Sequence, residues 1–212
     1  MGIASEARDD EELRAGIERW LHARRLVPTD ATVEPLTRPA AGLSSDTCFA
    51  RAVAAPGAPT DFVIRLPPAG DGLFPEYDLR GQVDRQNELA ARAVPIAAPA
   101  RFESDPKWLG APFMVMPRIR GFVLSRAWLR KGPIAEATPE FRHELMLGFV
   151  RTLAALHRLP VEATGAATAA PTTAPTGATA GEWCSTWSDY LDWASGDREP
   201  PEFMTAAGDW CR

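Results

Sequence analysis

Cysteine is scarce: Cys48, Cys184 and Cys211 are far apart and odd in number, which excludes a disulfide framework and a Cys-x-x-Cys metal site. A reducing cytoplasm suits such a chain. Excess positive charge is also lacking. Lys and Arg number 23 against 28 Asp and Glu, a net charge of −5, so the basic footprint with which nucleic-acid binders neutralise phosphates is absent. DNA and RNA are therefore not expected partners, whereas a single nucleotide needs only local positive charge. No window approaches about eighteen uninterrupted apolar residues, and the chain opens on Glu6, Asp9, Asp10, Glu11 and Glu12 in place of a basic-then-apolar leader. Neither a membrane span nor a secretory signal is expected, and Glu6 stands where a myristoylation signal needs Ser or Thr. The sequence contains no Gly-Lys-Ser or Gly-Lys-Thr, which removes a Walker-type phosphate loop. Its three histidines, His22, His143 and His157, have no neighbours that would make a triad or a metal site.

What is present is ordinary globular material, 45% hydrophobic and 24% charged over 212 residues. Leu13, Ile17, Trp20 and Leu21 recur at helical spacing behind acids that complement a helix N-terminus. From residue 31 to 66 the period changes to short β-prone runs, Val33 to Leu36, Cys48 to Val53 and Phe62 to Leu66, separated by Gly and Pro clusters, which predicts an antiparallel meander. Tyr77 to Arg92 predicts a helix ended before Pro95, and strands are expected near Ala98 to Phe102 and at Phe113 to Met116. A long helix should follow Thr138-Pro139-Glu140, with Thr as cap and Pro in the first turn, and run to Pro160. Residues 162–181 are almost wholly Ala, Thr, Pro and Gly, a composition too poor in large apolar groups to offset its own ordering entropy, and are read as a flexible loop. The aromatic tail beyond it, with Trp187, Tyr190, Trp193 and Phe203, predicts two short helices packed on the long one.

Chemistry centres on Arg65. Strand alternation puts it on the face opposite Ile64 and Leu66, and its guanidinium can grip a phosphate with two prongs, although a plain surface arginine has the same local pattern. The helix that follows offers Gln82 or Glu88 as its partner; six positions apart, they cannot both face inward. Between the first two strands, Gly42-Leu43-Ser44-Ser45-Asp46-Thr47 forms a turn whose backbone N–H groups and small hydroxyls could cover phosphates, or serve the hairpin alone. Downstream, Met116 to Ile119 has the texture of a linker whose main chain could meet a base edge, with Met114 or Met116 lining an apolar pocket.

Taken together and in order, Gly42 to Thr47, Phe62-Val63-Ile64-Arg65 with Pro67-Pro68, Pro95-Ile96-Ala97-Ala98-Pro99, Trp108 to Met116, Arg120-Gly121 and Leu153-Ala154-Ala155-Leu156-His157 resemble the aminoglycoside phosphotransferase-like family. The branch they look most like is the kinase-like domain associated with acyl-CoA dehydrogenases. The resemblance spans about residues 32 to 160. It implies an α+β, protein-kinase-like fold: a five-stranded antiparallel sheet with one inserted helix, then the first helices of an incomplete helical lobe. The division implied is a nucleotide-binding lobe over residues 1–117 and a partial helical lobe over residues 118–212. It further implies ATP and Mg2+ as cofactors and transfer of the γ-phosphate to a hydroxyl of a small molecule. Ser44, Ser45 and Thr47 would cover phosphates, Arg65 would take the phosphate-binding position with Gln82 or Glu88 behind it, and Met116, Pro117 and Arg118 would form the adenine hinge.

The sequence departs from the family where transfer is performed. It contains no His-Gly-Asp run, and its single asparagine, Asn87, belongs to the early helix. A chain without a catalytic loop and metal-binding Asp lacks general-base orientation and metal chemistry, so the expectation is a C-terminally truncated phosphotransferase with negligible activity by itself. A non-catalytic nucleotide- or partner-binding module using the same lobe is the alternative, and a structural protein presenting its Trp-rich tail is a third.

Overall fold

In the computed structural model, residues 8–39, 44–70, 72–121, 130–160 and 180–211 are described. Helix α1 (Asp10–Ala23) starts at Asp9, whose carboxylate accepts from the N–H groups of Glu11 at 2.8 Å and Glu12 at 2.9 Å. Five strands follow in a mixed order with one helix inserted: β1 (Thr32–Val33), β2 (Asp46–Val53), β3 (Thr60–Leu66), α2 (Leu79–Ala91), β4 (Arg101–Glu103) and β5 (Phe113–Pro117). All pairings are antiparallel and the sheet order is β1-β2-β3-β5-β4. Among the described residues three further helices follow, α3 (Pro139–His157), α4 (Ala180–Ser195) and α5 (Glu202–Cys211).

The predicted elements are present, with edges trimmed by proline. Of the run Val33 to Leu36 only Val33 joins β1, and after Pro35, which has no N–H to donate, pairing resumes as a single bridge from Thr37 to Phe49. Pro99 likewise delays β4 to Arg101. Of the loop expected at 162–181, residues 162–179 lie outside the described residues, and Ala180 and Gly181 instead open α4.

Strand alternation divides the sheet into two faces. Cys48, Ala50 and Ala52 of β2, Phe62, Ile64 and Leu66 of β3, and Phe113 and Val115 of β5 pack against Leu13, Ile17, Trp20 and Leu21 of α1. The small residues of β2 let the helix lie close, and Trp20 meets Phe113 edge to face at 5.2 Å. At Gly16 the approach is closer still: an added Cβ would fall 2.3 Å from the Trp108 carbonyl oxygen, so only glycine fits. On the other face, Leu79 and Val83 of α2 pack with Ala100 and Met114. Asn87 ties α2 to the start of β4, donating to the Ala100 carbonyl at 2.8 Å and accepting from its N–H at 2.7 Å. The one asparagine of the sequence thus has a bracing contact inside the fold.

Helix α3 is capped as read, Thr138 Oγ1 accepting from Phe141 N–H at 3.2 Å, but none of its residues is buried. The tail helices correct the expected packing: α4 and α5 pack on each other. From α4, Tyr190 reaches the sheet-bearing part, donating to the Leu73 carbonyl at 2.6 Å with its ring beside Phe74, while Trp187 and Trp193 stay exposed. Among the described residues no helix is long and apolar enough to cross a membrane.

Candidate functional site

The sheet face turned away from α1 is only partly covered by α2. Register across it sets two rows: Thr47, Arg65 and Met114 in one, and Phe49, Val63 and Met116 in the next. The first row carries the polar side chains of Thr47 and Arg65 beside Met114, and the second is apolar. Alternation of β3 is what places Arg65 here, since Ile64 and Leu66 are consumed by the α1 face.

Arg65 is half-buried. Its Nε and Nη2 donate to Ser45 Oγ at 3.2 and 3.0 Å, and Nη1 donates to Gln82 Oε1 at 3.3 Å. Ser45 and Thr47 hydroxyls lie 3.3 Å apart, extending the polar row across the hairpin. Among the described residues no carboxylate forms an ion pair with Arg65, whereas Arg8, Arg14, Arg24, Arg38, Arg51, Arg85 and Arg92 each have at least one. Burial pulls its pKa below the usual arginine value, though a guanidinium remains charged. The result is a half-buried cation held by neutral acceptors only. Replacing a neutral hydroxyl by an anionic oxygen would give the shorter, stronger charge-assisted bonds that guanidinium favours.

The remaining predicted residues divide clearly. Ser44 adjoins Ser45, half-buried, while Gly42 and Leu43 lie outside the described residues. Gln82 meets Arg65 and Glu88 does not: the Glu88 carboxylate is 3.4 Å from Arg92 on the outer flank of α2. The reason is helical phase. Leu79 and Val83 are the buried positions, so Gln82 and Gln86, four apart, share the flank beside the sheet, and position 88 is rotated away. Met116 is half-buried and takes a contact from Gln86 Nε2 at 3.3 Å to its sulfur. Met114, fully buried, belongs to the α2 core and does not line open space. Pro117 pairs with Phe62 at the end of β5, and Arg118 N–H donates to the Asp61 carbonyl at 2.9 Å.

Two features were missed in the sequence. The Arg118 guanidinium lies over the Phe49 ring, 3.9 Å from its centroid, having crossed β3 to reach β2. Alternation along β2 from Thr47 would have put Phe49 on this face; nothing local signals the crossing. The turn before β2 is also pinned from behind. Asp46 accepts from Arg8 at 2.9 Å and from Arg38; Arg8 also donates to the Pro67 carbonyl at 2.8 Å, and Arg38 reaches Asp10 at 2.6 Å. This network joins α1, the turn, and the end of β3, and so fixes Ser45 relative to Arg65.

The family model described as "Phosphotransferase enzyme family" matches residues 35–206. The solved structure of a protein from Ralstonia eutropha JMP134, assigned as an aminoglycoside phosphotransferase, is similar over 92% of this chain and 51% of that one, with 20% identity and a TM-score of 0.55. This chain thus spans about half the length of that relative, and at that identity the likeness bears on the fold, which is the kinase-like arrangement of antiparallel sheet, inserted helix and following helices. No curated protein matches the chain. Since the matched segment takes in β2 through β5, α2, α3, α4 and half of α5, the chain belongs to the phosphotransferase enzyme family.

Proposed function

We propose that residues 1–117 form a nucleotide-binding lobe that takes ATP, and that residues 118–212 form the opening of a helical lobe, in a protein whose family transfers phosphate to a small-molecule hydroxyl. The observation that carries this reading is Arg65, a half-buried guanidinium whose acceptors are all neutral. Phosphate oxygens replace Ser45 Oγ on Arg65, with Ser44, Ser45 and Thr47 at the turn beside them. The apolar row Phe49, Val63 and Met116 lies about 7 Å further along the strands at two residues of rise. That row takes the base, and the main chain of Met116 to Arg118 meets its edge.

Mg2+ is the usual companion of such phosphates. Among the described residues no group of three His, Cys, Asp or Glu could hold a metal ion, so these residues do not fit it and no step is derived through it. The 212 residues contain no His-Gly-Asp run either, and the polypeptide by itself is proposed to bind without transferring phosphate. The acceptor is a small molecule, and its place of action is the cytoplasm.

A thermal-shift titration with ATP, with and without Mg2+, tests the reading. Saturable stabilisation is expected, about 2.7 kcal/mol at a hundredfold excess over Kd. Arg65→Ala should abolish it, and Arg65→Lys, which keeps the charge but loses the fork, should retain part. A flat response in a folded wild-type sample removes the proposal.

A further inference from the structure

Arg118, like Arg80 over Phe102 at 5.1 Å, lays its guanidinium on an aromatic ring, and does so at closer range. It lies on the same face as Met116 by strand alternation and is exposed, yet among the described residues its guanidinium forms no ion pair within 4.0 Å. It folds back across β3, over the position of Val63, and lays its guanidinium 3.9 Å above the Phe49 ring. Asp61, on this side, pairs with Arg51 at 2.8 Å, gives its carbonyl to the Arg118 N–H, and feels the Arg118 charge, which adds to the bond from Arg51 in holding its carboxyl below the usual carboxylate range. The backbone of Arg118 is therefore fixed, while its long side chain is held by stacking on Phe49 and by the attraction of the Asp61 carboxylate.

A guanidinium on a phenyl ring at an exposed site is a weak contact, readily opened. The same two planar surfaces, moved apart by the thickness of one aromatic ring, form a sandwich, and Arg is the cation that stacks on such rings because it is flat and weakly hydrated. The floor of that sandwich, Phe49 with Val63 and Met116, is the apolar row beside Arg65.

We propose that Arg118 is a base clamp: its guanidinium lifts from Phe49 and closes on the opposite face of the nucleotide's aromatic base, setting a preference for large, flat purines over pyrimidines. This rests on the reading of Arg65 as the phosphate site, and adds a side-chain role at position 118 that a main-chain hinge does not require. The large ring is favoured because stacking gain rises with overlapped aromatic area and every base offers a π-face.

The test uses the full 212-residue chain with ATP, CTP and inorganic tripolyphosphate as probes, and binding measured by calorimetry. Arg118→Ala and Phe49→Leu should each weaken ATP roughly five- to tenfold and narrow the ATP-to-CTP ratio, while tripolyphosphate affinity stays within about twofold. Arg118→Lys should fall between, having charge without a plane. Unchanged or tighter ATP binding by folded Arg118→Ala overturns the clamp, the latter because the guanidinium would then be an obstacle. Loss of tripolyphosphate binding in Arg65→Ala alongside ATP binding indifferent to positions 49 and 118 sinks the clamp and leaves the phosphate site standing. Failure of folded wild-type protein to bind either ATP or tripolyphosphate overturns both.

Discussion

The sheet-bearing part and the following helices handle apolar surface in opposite ways. On the sheet, both faces have partners: Trp20 is 2% exposed and Phe113 fully buried against α1, while Leu79, Val83 and Met114 close part of the other side. In α3 the same kinds of residue stand in the open, with Phe149 at 61% and Phe141 at 49% exposure. Trp187, Trp193 and Phe203 of α4 and α5 are likewise uncovered. Equal hydrophobicity therefore does not mean equal contribution to stability, because only surface removed from water counts. Arg65 and the Ser45 turn stand on the part that buries its own core; α3 stands outside it.

The largest expected effect tests this contrast directly. Trp20→Ala should cost about 3–5 kcal/mol by denaturant unfolding, enough to abolish cooperative folding in a marginal domain. Phe149→Ala, on exposed α3, should change stability by less than about 0.5 kcal/mol. Equal costs at the two sites would show that α3 is packed in solution, and the comparison would fail.

A second test uses pH. Glu103 is buried and carries the sheet's one deeply placed carboxylate among the described residues, accepting from Trp20 Nε1 at 2.9 Å, from Asp105 N–H at 3.1 Å and from Arg24. Burial pushes its pKa up, but the bonds from Arg24, Trp20 and the Asp105 backbone outweigh that and bring it to about 2. A folded-state pKa below the unfolded value means the stabilisation is complete above the unfolded pKa, near 4.5, and is lost as pH falls toward about 2. The shift corresponds to about 3 kcal/mol at neutral pH. Unfolding followed from pH 7 to 3 should show this loss in the wild type, and Glu103→Gln should start less stable and flatten that slope. A parallel slope in the variant would assign the acid sensitivity elsewhere.

How far these features could be read in the sequence depends on the range over which each is determined. Helix starts are local: Thr138 announces α3 as its cap, and the acids before Leu13 announce α1 by their charge, without singling out Asp9 as the residue that caps it. The facing of Arg65 is equally local, since period-two alternation with Ile64 and Leu66 leaves it no other side. The choice between Gln82 and Glu88 needed the phase of α2, which is fixed by Leu79 and Val83 packing on residues some twenty to thirty-five positions away. Glu103 was not visible at all: its partners Trp20 and Arg24 lie 83 and 79 residues upstream, and no pattern in either segment refers to the other. Arg118 over Phe49 is a third case of that kind, a side chain spanning two strands whose pairing had first to be known. Nor did the apolar stripe of α3 disclose that it would stand uncovered, because amphipathic spacing states which face seeks burial and not whether a partner is present.

The smallest effect isolates packing from local chemistry, because α1 and α3 begin with the same device. Asp9 accepts from two backbone N–H groups at the head of a helix whose apolar face is buried; Thr138 accepts from one at the head of a helix with no buried residue. Removing either cap exposes orphan N–H groups and should cost the helix terminus about 1 kcal/mol. In α1 that loss is coupled to the core, so Asp9→Ala should lower global stability by about that amount. In α3 the first turn can fray without disturbing anything else, so Thr138→Ala should leave the unfolding midpoint unchanged and only speed hydrogen exchange at residues 140–143. A drop in midpoint from Thr138→Ala equal to that from Asp9→Ala would mean that α3 is held cooperatively with the sheet, by contacts that its exposed face does not make here.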